Sequence, residues 1–173
     1  MSEGVSARFP DDDARPAAAV PPAARPRAFQ TIIYGGLIVG VLDFLDATIF
    51  NALRDVAPMR VWQFVASGVL GRNSFNGGMK TAVLGVVLHF LIAFILAAVY
   101  YGASLYLPTL LRRAVLWGLL YGIAIYFVMN YVVLPLSAAP PLRFSLASFL
   151  NGVIGHALLV GLPVALIARR SQT

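Results

Sequence analysis

Six strongly polar side chains sit inside or at the edge of long apolar runs of this 173-residue chain: Asp43, Asp46, His89, Asn130, Asn151 and His156. Two carboxylates and two imidazoles are groups that can ligate a divalent cation, relay protons or hold a polar molecule. An ionised Asp in hydrocarbon costs several kcal/mol unless it is paired or neutral. Asp43 and Asp46, at i and i+3, would repel each other, so at least one is expected to be protonated or neutralised by a His, an Arg or a cation. The plain alternative is a hydrogen-bond network that fixes helix register and binds nothing. The two asparagines fit that alternative best, whereas Asp43 with His89 favours a functional site.

Sharper chemistry lacks its signature. No HExxH, GxSxG, P-loop or dinucleotide-binding fingerprint occurs. His89 and His156 could in principle ligate a haem from two helices, but no aromatic and glycine clearing accompanies them. The absence of Cys removes disulfides, thiolate metal sites and iron–sulfur clusters. No catalytic residue and no cofactor is assigned from the sequence.

The elements that must position these residues follow from composition. The chain is 60% hydrophobic and 12% charged, with a mean hydropathy of +0.82. A small globule cannot bury that much apolar surface, so the bilayer is the expected solvent. Four runs, about 30–51, 81–103, 114–136 and 146–168, are long enough for spanning helices, and the links are short enough to make neighbours antiparallel. The expected fold class is all-α: a polytopic antiparallel bundle of four transmembrane helices plus one short interfacial helix over 58–71. That segment opens with Pro58 and closes with Gly71, and is too short to span. Its Trp62, Phe64, Val65 and Val69 would lie at the interface or tuck back into the bundle. Residues 1–28, with five prolines, read as a disordered cytoplasmic tail, and Asp11, Asp12 and Asp13 within it as a solvated acidic run. Pro163 is expected to kink the last span.

Each span carries small residues at helical spacing: Gly36, Gly40, Asp43, Ala47; Gly85, His89, Ala93, Ala97; Gly118, Gly122, Tyr126, Asn130; Ser148, Asn151, Gly152, Gly155, His156. Such stripes let helices approach closely in lipid. The polar residues lie on or beside them, hence inside the bundle. At a rise of 1.5 Å per residue, all six fall roughly 8–15 Å below the outer helix ends, a polar layer in the outer half of the membrane. Eight Arg flank the ends on the termini side, against five Lys/Arg opposite, which places both termini in the cytoplasm of a plasma (inner) membrane protein. The net charge of +6 is explained by these flanks rather than by nucleic acid.

The segments GLIVGVLDFLD, LGVVLHFLIAFILAAVYYGAS, VMNYVVLPLSAAPP and NGVIGHALLVGLPVALIARR resemble small bacterial four-helix inner-membrane proteins of unassigned function, and more distantly the YagU-like group. The resemblance covers most of residues 30–170. It rests on the surroundings of His89 and His156 and on the exit LPLSAAPP. It implies a bacterial plasma membrane and no particular reaction. The Asp43/Asp46 pair and the Pro58–Gly71 segment depart from that group.

Three functions stand open at this point. The first is a membrane protein whose polar layer binds or conducts a proton, cation or small polar molecule. The second is a non-catalytic accessory or scaffold subunit with a structural layer. The third is a membrane enzyme acting on a lipid or quinone. The lipid bilayer is the expected partner, with a second copy or another membrane protein as a further one, since four spans make a thin bundle for transport.

Overall fold

The computed structural model describes residues 24–172, and all regular structure among them is helical. Five helices exceed one or two turns: α1 (Ala24–Ala52), α2 (Pro58–Leu70), α3 (Gly78–Tyr106), α5 (Ala114–Leu136) and α6 (Leu146–Gln172); α4 (Thr109–Arg112) is a single turn. Four of them are long and apolar enough to cross a bilayer, with apolar stretches of 23 to 29 residues where about 20 suffice. The chain is an all-α, multi-pass membrane protein.

Residues 1–23, which carry most of the expected tail and its acidic run, lie outside the described residues. The tail was expected to reach residue 28, but α1 already begins at Ala24. Pro26 does not prevent this, because the first turn of a helix leaves its N–H groups unbonded in any case.

Glycine pairings set the topology. Gly35 meets Ala97 and Val164, Gly36 meets Phe94, and Gly40 meets Phe90 and Ala93, so α1 runs antiparallel to α3 and to α6. A Cβ at Gly118 would strike the Gly161 carbonyl, and one at Gly122 would strike the backbone of His156 and Ala157. There α5 and α6 touch backbone to backbone, the close approach that lipid-solvated helices need for dispersion contact. The tight contacts thus run α3–α1–α6–α5. The fourth side differs: α3 and α5 do not pack closely and meet through tyrosines at the termini end. Tyr121 donates to the Leu96 carbonyl at 2.8 Å, and its ring lies edge-on to Tyr100 at 5.0 Å. Around Tyr100 a core of small residues, including Val39, Ala93, Ala97, Val164 and Ala165, closes that end.

At the other end α2 folds back against α3 and α1. Trp62, Gln63, Ala66 and Ser67 are buried, and Gly85 of α3 leaves room for the Trp62 carbonyl. Of the two placements open for this helix, the tertiary structure takes the one against the bundle. Gly71 ends it at φ +60° and ψ −152°, a conformation that side chains with a Cβ rarely adopt. The Ala138 amide, just after α5, donates to the Gly68 carbonyl at 3.0 Å and satisfies one of the carbonyls freed at the end of α2.

Two wide turns interrupt the spans. Met129–Val133 in α5 and His156–Gly161 in α6 form i→i+5 hydrogen bonds. Pro135 and Pro163 stand two residues past the ends of these turns. A proline ring presses on the carbonyl four residues back, and widening the preceding turn relieves that clash. The irregularity expected at Pro163 is therefore a π-type turn ahead of the proline.

Candidate functional site

The structure gives the six polar residues three sets of contacts, and helix geometry explains the sorting. At 3.6 residues per turn, Asp43 and Asp46 point about 60° apart around α1. Asp43 faces α3, and Asp46 faces α6.

His89 grips α1 on the Asp43 face. Its Nε2 lies 2.9 Å from the Gly40 carbonyl and its Nδ1 lies 3.8 Å from Asp43 Oδ2. Gly40 is positioned for this because it has no side chain to hold α3 away. A carbonyl can only accept, so Nε2 carries a proton. Nδ1 then has two choices. Protonated, it makes His89 an imidazolium beside the carboxylate. Unprotonated, it presents a lone pair to Asp43, which is favourable only when Asp43 carries the proton. Both favourable states place one additional proton on the pair. The imidazole is held by aromatic edges: Trp62 at 5.1 Å and Phe90 at 5.4 Å between ring centres, with Phe44 stacked on Trp62 at 4.2 Å.

His156 opens the wide turn of α6. Its Nδ1 donates to the Gly152 carbonyl at 2.9 Å, which leaves Nε2 of the neutral ring as an acceptor. The Tyr126 ring packs edge-on at 5.6 Å and fixes the imidazole plane. Asp43, His89 and His156 all line one chamber of about 190 Å³. Its remaining wall is mainly apolar and includes Val61, Trp62 and Val65 of α2, Ile92 of α3 and Ile125 and Met129 of α5. The chamber therefore unites residues of five helices around three ionisable groups, in surroundings where an unpaired charge or dipole is costly.

The other three residues are not among those lining this chamber. Asp46 Oδ2 accepts from Asn151 Nδ2 at 2.9 Å, and Gly155 of α6 leaves room for this carboxylate. That pair clips α1 to α6. Asn130 donates to the Tyr126 carbonyl four residues back in its own helix, at 2.9 Å. Two of the three asparagines and aspartates outside the chamber thus pair with each other, and the third closes on backbone. Among the described residues no three His, Asp or Glu side chains stand close enough to hold a metal ion, so the divalent-metal option has no ligand set there.

Trp62 was not singled out as a site residue from the sequence. Its signal was present: with Ala66 and Val69 it makes an apolar face on a helix too short to span, and such a face must pack somewhere.

Comparison of the chain with protein families, curated proteins and solved structures finds no match.

Proposed function

We propose that this membrane protein binds and exchanges a proton at the Asp43–His89 pair, with His156 as the accepting group across the same chamber. The observation that carries this reading is the double use of the His89 ring. One nitrogen is committed to the Gly40 carbonyl and the other faces Asp43 at 3.8 Å. That distance exceeds a hydrogen bond, so the pair is not locked shut, and a small approach converts it to one. Gain or loss of the shared proton changes the attraction between α1 and α3 and the hydrogen-bonding character of the chamber. The orientation read from Arg and Lys places this site in the outer half of a plasma membrane, with both termini cytoplasmic. The resemblance to small bacterial inner-membrane proteins agrees with that location.

Nitrogen-15 spectra of histidine-labelled protein in detergent test the reading across pH 5 to 8. The expected result is a His89 Nδ1 signal that changes when Asp43→Asn removes the acid. A His89 Nδ1 signal indifferent to Asp43→Asn at every pH would overturn it.

A scaffold reading finds its support elsewhere in the bundle. The Asp46–Asn151 contact joins α1 to α6 and lines no part of the chamber. This part of the expected layer acts in helix assembly, beside the proton-binding part.

A further inference from the structure

Arg54, Arg60, Arg72, Lys80 and Arg143 lie at the end of the bundle opposite the termini, where α1 and α5 end and α3 and α6 begin. Asp55 is the only carboxylate outside the spans among the described residues. That end is therefore strongly positive, at the level where a bilayer presents its headgroups. Arg60 Nη1 donates to the Phe75 carbonyl at 3.3 Å, and Arg54 Nη2 lies 3.4 Å from Ser145 Oγ. Arg143 differs: among the described residues it has no hydrogen bond and no ion pair.

Arg143 lines a cavity of about 560 Å³ between α5, α6 and the link that joins them. Ligand sites run from about 300 to 1,000 Å³, so this one cavity suffices for a ligand. Ser145 and Ser148, where α6 begins, line it as well, and Ser145 brings the Arg54 guanidinium to its rim. The cavity also reaches into the span. Asn130 lines it six residues before the end of α5, about 9 Å along the helix from the link. Leu134 and Leu142 line it too, and Leu142 is 60% exposed on the surface of the bundle. One cavity thus combines an unpaired cation in the link with aliphatic walls at the depth where hydrocarbon begins. No carboxylate lines it.

We propose that this cavity binds the headgroup phosphate of an anionic bilayer phospholipid. The Arg143 guanidinium is the main counter-charge, since its planar fork matches two phosphate oxygens at once. Arg54 adds a second positive charge at the rim, and the Ser148 hydroxyl is a neutral donor. Leu134 and Leu142 receive the upper part of the acyl chains. A head with net negative charge is selected, because a zwitterionic one would bring its own cation to a rim with no carboxylate to receive it. The cavity shares no lining residue with the chamber of Asp43 and His89, and the lipid site does not rest on the proton-binding reading.

The test uses the full chain, delipidated in a mild non-ionic detergent and titrated with dioleoylphosphatidylglycerol, with bound lipid counted by native mass spectrometry. Saturable binding of one lipid per chain is expected, at least tenfold tighter than dioleoylphosphatidylcholine. Arg143→Gln is expected to weaken it at least tenfold and to leave the unfolding temperature without lipid unchanged, because Arg143 holds no partner. Arg72→Gln removes the same charge from a residue that does not line the cavity, and is expected to leave the affinity as it was. Equal losses in the two variants would reduce the effect to general surface charge and overturn the site. Equal affinity for the two lipids would overturn the anionic head; should Arg143→Gln not fold, this contrast in the parent protein decides alone. Displacement of the lipid by glycerol 1-phosphate at a matching concentration would make the ligand a soluble phosphate and overturn the lipid. The histidine spectra report on the proton reading separately, so either idea can fail while the other stands.

Discussion

Asp43 and His89 should be energetically coupled, and a double-mutant cycle measures by how much. Two unit charges 3.8 Å apart interact with about 4 kcal/mol at an effective dielectric near 20. Two effects reduce that figure. The side chains of His89 and Asp43 keep 12% and 21% of their surface exposed, and withdrawing both charges from water carries its own penalty. A net coupling of about 1–2 kcal/mol is therefore expected. His89→Ala by itself should cost more than this, because it also removes the bond to the Gly40 carbonyl and the edge contacts with Trp62 and Phe90. The cycle Asp43→Asn, His89→Ala subtracts those terms. Unfolding by heat or by anionic detergent, followed from pH 5 to 8 in a mild micelle, is the assay. A coupling below about 0.3 kcal/mol at every pH, within the additivity of independent sites, would refute the argument.

Other substitutions probe the packing and the remaining polar contacts. Gly122→Ala places a methyl group on the backbone of His156 and Ala157, which cannot yield, and should destabilise the bundle by about 1–3 kcal/mol in the same unfolding assay. Gly102→Ala is the matched control: nothing lies within 4 Å of its Cβ position, so the better helix former should stabilise α3 by about 0.5–1 kcal/mol. Asp46→Ala strands Asn151 and should cost about 1–2 kcal/mol, with Asp46→Asn restoring most of it and leaving the His89 signal unchanged. For orientation, Asn76→Cys should react with an impermeant thiol reagent in intact cells and Thr173→Cys should not; the reverse pattern would invert the topology.

The all-α, multi-pass character was readable from the chain because hydropathy reports a one-dimensional quantity. A run of about 20 apolar residues has few fates other than a spanning helix, whatever its neighbours are. The small-residue stripes were legible for the same reason: Gly36, Gly40, Gly118 and Gly122 mark close approach by their spacing alone. Partner choice was not legible. Depth counted along each helix put six polar residues in one layer, but depth does not report azimuth. The 60° between Asp43 and Asp46 sent one to His89 and the other to Asn151, and only the packing of α1 between α3 and α6 revealed which. Asn130 meets none of the other five and closes on the Tyr126 carbonyl of its own helix, a partner that spacing along the chain does not single out. The chamber itself is a tertiary property. It exists because α3 and α5 stay apart while α2 turns Trp62 inward against them. No local pattern in the sequence encodes a gap between two helices, since its width is set by the glycines and tyrosines of all four neighbours at once.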